Sequence, residues 1–384
     1  MKKPISNIKC FTGICIIMLL ILSPILYVKA VSQTIEDKSN LSILLFGDTN
    51  IQNRNNPVDA FQHVLPVFRK ADFRLCNLEG PFAGTSDDPL LPDIPHKHNW
   101  THSEPDMVQG LVDAGIDAVS VANNVTYPWT ALMKSLKVLQ EHGIRHTGGG
   151  ANLNEAHRPV ILEKHGVKVG LLAYACTVFP FQHAADETTP GIASMRIHTY
   201  YEPPHKYDKP GTPPVVVTVP YENELRRMKQ DIRELKAETN IVIVSYHWGR
   251  SHHTELIDYQ IEVASAAVDA GADVIMGHGN HEVAAVEVYK DASIFYGLGN
   301  FVFDWPQISD RPYGLLANIH TAAGRIDRVT VLPVKRDNDN NPRILDPGHG
   351  DGADLYRVLK ERTAERASLR VEENEIVIHP ASAQ

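Results

Sequence analysis

Short apolar runs alternate with amphipathic stretches from Leu41 onward, and this alternation restricts the fold more than any other feature of the sequence. Short apolar runs predict strands, and stretches with a helical period predict the helices between them. Alternating strands and helices indicate the α/β class. The strand candidates are Leu41–Gly47, Phe73–Leu78, Ala118–Ala122, Val167–Ala173, Ile241–Tyr246, Val274–Met276, Ile294–Tyr296 and Leu315–Ile319. The helix candidates are Val58–Arg69, Asp106–Ala114, Thr130–His142, Glu222–Ala237 and Leu256–Ala270.

The first thirty residues have the features of an export segment. Lysines at positions 2, 3 and 9 precede an uncharged stretch over Phe11–Val28, and a small-residue site follows it. This order is typical of a signal peptide. The stretch also reaches the lower limit for a spanning helix. Residues 1–30 are therefore predicted to be a signal peptide or an N-terminal membrane anchor. We expect the rest to be exported, either periplasmic or secreted, or anchored to the membrane.

The remaining chain is predicted to form one main domain followed by a short C-terminal part. Residues 41–335 contain the α/β pattern, and the Pro-rich segment 180–220 within them is predicted to be a long irregular insertion. This insertion either covers a site or forms an ordered surface loop. Residues 336–384 are predicted to be a loop, a helix near Asp354–Ser368 and a tail without a clear partner.

Charge and cysteine usage exclude several classes of protein. The chain of 384 residues has a formal charge of −9, and removing the four lysines of residues 1–30 leaves −13. A net-acidic chain argues against sequence-independent binding of nucleic acid. Outside residues 1–30, Cys76 and Cys176 either pair in an oxidising compartment or are two small buried residues. The 19 histidines favour metal or proton chemistry.

Polar side chains follow directly after most of the predicted strands. In open α/β sheets the loops that leave the carboxyl ends of the strands converge on a site. Carboxylate, amide oxygen and imidazole together suit a divalent ion such as Mn, Fe or Zn. We therefore predict a metal centre with about one or two ions. The polar groups are Asp48-Thr49-Asn50, Asn77-Leu78-Glu79-Gly80, Asn123-Asn124, His247-Trp248-Gly249, Gly277-His278-Gly279-Asn280-His281 and Gly299-Asn300-Phe301.

The order of these motifs resembles that of the poly-γ-glutamate capsule-biosynthesis (CapA-like) family. The resemblance covers about Leu41–Asp304 and rests on GDTN, NLEGP, VSVANN, VSYHWG, GADVIMGHGNH and IFYGLGNFVFD. It implies a metallophosphoesterase-like α/β/β/α sandwich and a role in making or exporting a polyglutamate-type capsule polymer. The implied metal ligands are two carboxylates, one amide and three imidazoles, namely Asp48, Glu79, Asn124, His247, His278 and His281. Among them, Asp48 is implied as the first metal carboxylate and Glu79 as the bridging one.

The residues beside these ligands are candidates for contacts with water or substrate. Asn123, Asn50 and Asn280 are placed to orient either. Arg250 either neutralises an anionic substrate or only solvates its loop.

The stretch after the paired asparagines departs from the family pattern, with Val125, Pro128 and Thr130 at the positions of a His, an Asp and a Gly. The pattern has a histidine after the paired asparagines, where this chain has Val125. In the related phosphoesterases that histidine resembles a proton donor to the leaving group, and general acid catalysis is worth about 10²–10⁴-fold in rate. His252 and His253 are candidate replacement acids, and exposed loop histidines are the alternative interpretation.

Two functions from different classes remain open. The first is an exported CapA-like protein with a metal-dependent, hydrolase-type site for an anionic polymer or phosphoester, partnered by other capsule or envelope biosynthesis proteins at the membrane. The second is a catalytically impaired binding or scaffold component of an envelope polymer machine. A periplasmic solute-binding protein is a weaker third interpretation, because such a protein needs no histidines clustered at strand ends.

Overall fold

Two β-sheets pack face to face, and helices cover the outer side of each. The apolar cluster between the sheets joins residues of both, including Leu45 and Leu75 of the first sheet and Leu171 and Ile243 of the second. Two further clusters fill the space between each sheet and its helices. The predicted α/β/β/α sandwich is therefore confirmed.

The computed structural model describes residues 40–52, 54–84, 97, 100–178, 183–203, 211–308 and 310–381. The predicted signal peptide or membrane anchor lies outside these ranges. Within them, no helix combines the length and apolar character that a bilayer-spanning segment requires.

The first sheet has ten strands, numbered here along the chain. They are β1 (Ser42–Asn50), β2 (Phe73–Leu78), β3 (Ala118–Ser120), β4 (Arg145–Thr147), β15 (Asn300–Phe303), β16 (Tyr313–Ala322), β17 (Arg325–Arg336), β18 (Pro342–Ile344), β19 (Ala367–Glu372) and β20 (Glu375–Pro380). Their order is β19-β20-β17-β16-β1-β2-β3-β4, with β15 beside β1 and β18 beside β17. Strands β1 to β4 are parallel, so their carboxyl ends lie at one edge.

The second sheet has six strands in the order β13-β14-β12-β11-β7-β6. These are β6 (Val160–Lys164), β7 (Val167–Ala175), β11 (Ile241–His247), β12 (Val274–His278), β13 (Val286–Tyr289) and β14 (Ala292–Phe295). Its central strands β7, β11, β12 and β14 are parallel. Two small antiparallel pairs lie outside both sheets, namely β5 (Gly149–Gly150) with β8 (Gly191–Ile192) and β9 (Ile197–Glu202) with β10 (Val215–Pro220).

The helices bury one apolar face each against a sheet. In the helix Glu222–Glu238, for example, Met228, Ile232 and Leu235 are buried at a spacing that puts them on one side. The α-helices are Leu65–Phe68, Val108–Ala114, Trp129–Glu141, Leu153–Ala156, Glu222–Glu238, Asp258–Ala270 and Gly350–Thr363. Short 3₁₀ helices span Pro57–Phe61, Pro105–Met107, Pro306–Ile308 and Ala364–Arg366.

Two predicted elements before the C-terminal part differ from the structure. The single helix predicted over Val58–Arg69 is wrong, because the region is a 3₁₀ helix followed by the short helix Leu65–Phe68. Pro66 has no N–H to donate and stands at the start of the second piece, where proline is tolerated. The insertion predicted as irregular contains β9 and β10, whose β-branched and aromatic residues favour a hairpin.

The C-terminal part also differs from its prediction. The last helix ends at Thr363, and Ser368 lies in β19 instead of the helix. The predicted tail forms β20, which pairs with both β19 and β17. Its residues Ile376 and Ile378 alternate onto the core between the sheets, so this strand has a partner that the sequence did not reveal.

Both cysteines of the described chain are free thiols. Cys76 is buried and Cys176 is half-buried, so the interpretation as small packed residues is the one observed. Burial raises the pKa of the Cys76 thiol to about 12, which keeps it protonated and unreactive near neutral pH.

The position of β20 predicts a large effect of truncating its buried side chain. We expect Ile376→Ala to lower the free energy of unfolding by about 2–5 kcal/mol, because it leaves a cavity in the core between the sheets. Val371→Ala, in the same hairpin but 38% exposed, should cost less than about 1 kcal/mol. Denaturant unfolding of both variants checks this, and equal costs would contradict the role of β20 in the core.

Candidate metal centre

Strands of both sheets end at one edge of the sandwich, and their polar side chains meet there. In the first sheet, the register of β1 and β2 places Asp48 beside Asn77. In the second, the register of β11 and β12 places His247 beside His278. The sheets are joined at this edge because the backbone N–H of Gly279 donates a 3.0 Å hydrogen bond to Asp48 Oδ2. The candidate site therefore lies between the two sheets.

Five buried side chains form two groups whose donor atoms are close enough to bind metal ions. The first group consists of Asp48, His247 and His278, and the second of Asp48, Glu79 and His281. Within each group, one donor atom from each residue lies within 4.8 Å of the others. Asp48 belongs to both groups. Glu79, which the resemblance implied as the bridging carboxylate, belongs to the second group, and its bridging role remains a prediction.

Asp48 is fully buried and receives hydrogen bonds from both sheets. Asn77 Nδ2 donates to Oδ1 at 2.8 Å, and Nδ1 of His278 and of His281 each lie 3.3 Å from a carboxylate oxygen. Burial alone would raise the pKa of Asp48, but the hydrogen bonds of the two imidazoles outweigh it and hold the pKa well below its usual value. Asp48 is therefore an anion at neutral pH and an available ligand.

Glu79 has the opposite environment. Both of its carboxylate oxygens are buried, and neither has a hydrogen-bond partner among the described residues. Burial, followed by the charge of Asp48, raises the pKa of Glu79 well above its usual value. A buried carboxylate without donors is costly unless a cation is bound to it. The donor set of carboxylate and imidazole therefore fits a divalent ion, and Glu79 is the residue that most requires one.

Two residues outside the ligand set fix the orientation of the imidazoles. Nε2 of His278 lies 2.7 Å from Ser245 Oγ, and Nδ1 faces Asp48. Without an ion, Nδ1–H donates to Asp48 and Nε2 accepts from the serine hydroxyl. With an ion at Nδ1, the proton would be on Nε2 and would be donated to that hydroxyl. Nδ1 of His281 lies 2.9 Å from Asn300 Oδ1, an acceptor, and therefore carries the proton. This leaves His281 Nε2, which is 3.8 Å from Glu79 Oε1, free to bind an ion.

The loop after β12 depends on glycine for its close approach to the histidines. Gly279 has a φ of 96°, and a Cβ there would lie 2.8 Å from the His247 ring. His281 itself has a φ of 61°, a conformation that few non-glycine residues adopt. The loop thus turns sharply enough to bring His278 and His281 to the same edge.

Comparison with known proteins identifies the family. The model of the family described as "Bacterial capsule synthesis protein PGA_cap" matches residues 27–305. The chain belongs to this family. The resemblance seen in the sequence motifs is thereby confirmed.

Two curated relatives of this PGA_cap protein come from Bacillus. The "PGA biosynthesis protein CapA" of Bacillus subtilis (strain 168) is 29% identical over 300 residues, which cover 74% of this chain and 70% of the relative. The "Capsule biosynthesis protein CapA" of Bacillus anthracis is 27% identical over 285 residues, covering 71% and 63%. A solved structure described as a novel phosphatase from Mycoplasma pneumoniae aligns with a TM-score of 0.46 and 12% identity, over 77% of this chain and 94% of that one.

The asparagines expected to contact water or substrate in this PGA_cap protein differ in their surroundings. Asn123 is used within the protein, because its Nδ2 donates to Leu78 O at 2.8 Å and its Oδ1 accepts from Thr126 Oγ1 at 2.8 Å. Asn280 Nδ2 donates to the backbone oxygen of His253 at 3.2 Å, which ties two loops together. Asn50 is fully buried, and its amide atoms have no hydrogen-bond partner in the part of the chain that is described.

Asn124, the predicted amide ligand, directly follows Asn123 and is half-buried. Its Oδ1 is a buried atom. Its role as a ligand remains a prediction.

The two candidate replacement acids occupy different places. The ring of His252 lies 6.0 Å from the ring of His281, and its backbone N–H donates to Asn280 O at 2.8 Å. Burial, and then the charge of His281, lowers the pKa of His252. His253 Nδ1 instead accepts a 2.9 Å hydrogen bond from Arg250. His252 is therefore the one beside the centre, and the Arg250 guanidinium interacts with its own loop.

Val125 lies in an apolar cluster next to the centre. The side chain is fully buried with Trp100, Phe303 and Trp305. The Phe303 ring packs edge-on against the His281 ring at 5.2 Å. The position where the family pattern has a histidine is thus occupied by an apolar side chain in an apolar cluster.

Sequence reasoning did not assign a role to Ser245, Asn300 or Asn77. Ser245 lies two residues before His247, on the same side of β11, which is the one local signal that it faces the centre. Asn77 and Asn300 were visible as polar residues at strand ends. Their hydrogen bonds to Asp48 and His281 become evident only from the strand register.

Removing the Ser245 hydroxyl tests the orientation of His278. We expect Ser245→Ala to weaken metal binding by about 10- to 100-fold, because His278 loses the partner that fixes its tautomer. Ser120→Ala is the matched control, since Ser120 is also buried but its hydroxyl has no hydrogen-bond partner among the described residues. Titration against a competing chelator measures both affinities, and an equal loss in the two variants would contradict the assignment.

Glu79→Gln should have opposite effects on the metal-free and metal-loaded protein. Because the folded pKa of Glu79 is raised, its ionisation destabilises the metal-free fold progressively as pH rises above the unfolded value. In chelator, the variant should therefore gain stability over the wild type between pH 5 and pH 8. With Mn²⁺ the wild type should be the more stable.

Thermal unfolding measures the difference in stability between variant and wild type at pH 5 and at pH 8, in each case with and without Mn²⁺. Glu361→Gln, on the exposed side of the helix Gly350–Thr363, is the control and should show neither effect. If the variant and the wild type have the same melting temperature in chelator at both pH values, ionised Glu79 does not destabilise the metal-free fold.

Proposed function

We propose that this exported capsule-synthesis protein uses its metal centre for hydrolysis or transfer at an anionic polymer or phosphoester. The observation that supports this most is the pair of donor groups sharing Asp48, with a buried Glu79 carboxylate that lacks donors within the described chain. One or two divalent ions, such as Mn, Fe or Zn, suit this set. When bound, they supply Lewis acidity and activate water near neutral pH.

The residues of the chain have separate roles in this proposal. Asp48 and Glu79 provide the negative charge that holds the ions, with His247, His278 and His281 as neutral ligands. Burial lowers the pKa of His247 well below its usual value, so its imidazole is neutral and able to bind metal at physiological pH. Asn124 remains a candidate amide ligand.

The proposed hydrolysis also needs a residue that donates a proton to the leaving group. Val125 supplies no proton donor at the position where the family pattern has a histidine, and it packs in an apolar cluster. His252 is exposed and lies beside His281, so it is placed to donate a proton from the open side of the centre. Its lowered pKa leaves a smaller fraction protonated at neutral pH, and activity that depends on it should rise as the pH falls towards that pKa.

The alternative is a binding or scaffold component of the capsule or envelope machinery, with a retained metal site and little turnover. The burial of Val125 in an apolar wall is the observation that favours it. Both proposals share the metal centre and differ in whether substrate is consumed. Other capsule-synthesis proteins at the membrane are the proposed partners in either case.

Substrates with different leaving groups separate the two proposals. We expect the metal-loaded protein to hydrolyse an aryl phosphate, which needs little protonation, and His247→Ala to lose both metal and activity. His252→Ala should reduce cleavage of an alkyl ester by about 10²–10⁴-fold while changing that of the aryl ester much less. His142→Ala, at an exposed helix end, is the control. Full metal content with no turnover of either ester would favour the scaffold.

A further inference from the structure

One lysine beside the metal centre is held over two tryptophan rings. Lys97 Nζ lies 5.0 Å from the centre of the Trp305 ring and 6.0 Å from that of Trp100. The two rings meet edge to face at 5.2 Å. A cation over an aromatic face is stabilised by the charge distribution of the ring, so this cradle favours one position for the ammonium group.

The cradle is continuous with the metal centre. Trp100 and Trp305 belong to the same apolar cluster as Phe303, whose ring packs against His281 at 5.2 Å. The charge of Lys97 also acts on ligands of both donor groups. It lowers the pKa of Glu79 in the second group and of His247 in the first, although burial is the larger cause at each residue.

Lys97 differs from the other cations near this edge in having no ion pair within the described chain. Arg54 forms a salt bridge with Asp304, and Arg311 forms one with Glu282. Arg250, the cation expected from sequence to meet an anionic substrate, hydrogen-bonds to His253. Because this half-buried lysine has no acidic partner among the described residues, its charge is left for a ligand.

We propose that Lys97 binds an anionic group of the substrate, adjacent to the substrate bond that reacts at the metal centre. This inference rests on the proposed function and adds the group by which the substrate is recognised. An ammonium group is a compact point charge and accepts phosphate or carboxylate oxygens alike. The tryptophan pair and Val125 form an apolar wall behind it, which strengthens the attraction by excluding water. The shared chemistry is therefore an anionic oxygen group, from a phosphoester or from the free α-carboxylate of a γ-linked glutamate residue.

Three variants test the assignment. Lys97→Met removes the charge and keeps an apolar stem over the tryptophans, and Lys97→Arg keeps the charge. Lys290→Met is the matched control, because Lys290 also lies over an aromatic ring, Tyr289, at 5.3 Å, but pairs with Asp269. Calorimetric titration of the full metal-loaded chain uses two probes, inorganic phosphate and a short γ-linked glutamate peptide. Metal content and thermal stability are measured for every variant.

We expect Lys97→Met to weaken binding of at least one probe by about 10-fold or more, since a charge-assisted contact is lost. Lys97→Arg should stay within about 3-fold of the wild type and Lys290→Met within about 2-fold. The probe that depends on Lys97 identifies the source of the anionic group. Phosphate binding near Trp100 and Trp305 should also change the tryptophan fluorescence of the wild type and not that of Lys97→Met.

Two results would overturn the assignment. One is equal affinity of Lys97→Met and wild type for both probes, and the other is a wild type that binds neither. Failure of the proposed function is a separate observation, namely a wild type that contains no metal or one that contains metal and hydrolyses neither ester. In that event the comparison of Lys97→Met with wild type still measures whether the lysine binds anions.

Discussion

The hydrogen bonds to the buried carboxylate of Asp48 determine how the two sheets meet. Asn77 donates from the first sheet and Gly279 from the second, so the carboxylate is satisfied only when both strand ends are in place. An unsatisfied buried charge costs several kcal/mol. The register between the sheets at this edge is therefore restricted by electrostatics as well as by apolar packing. The same restriction brings the ligands from four strands to one place.

The centre combines one carboxylate that the protein stabilises with one that it does not. Asp48 has its donors in the fold, whereas Glu79 has none among the described residues. In the metal-free fold, the described residues provide no donor for the Glu79 carboxylate. A bound cation would offset its negative charge, and this favours cation binding. The neighbours of the centre also differ in polarity. Val125, Trp100 and Trp305 form an apolar cluster beside it, whereas His252 is exposed and lies beside His281. The two roles that we propose, protonation by His252 and anion binding by Lys97, therefore belong to different residues around the centre.

The sequence was sufficient for the layer architecture and for the meeting of polar side chains at the strand ends, because both follow from apolar runs that end in polar residues. Ser245 and Lys97 could not be assigned in this way. Their roles depend on neighbours distant in sequence, His278 for the serine and two tryptophans for the lysine. The helix predicted across Pro66 and the tail predicted at β20 failed for another reason. A proline inside an apolar run and a six-residue strand both give weak periodic signals, and tertiary packing decides them.

The place of β20 in the first sheet links the core to a part of the sequence that holds none of the candidate metal ligands. Residues 375–380 lie between β17 and β19, and Ile376 helps to fill the space between the sheets. The five clustered candidate ligands lie within residues 48–281. The scaffold that holds them at one edge is therefore completed by a strand that follows all of them in sequence, so damage to β20 would disturb the site without removing a donor atom.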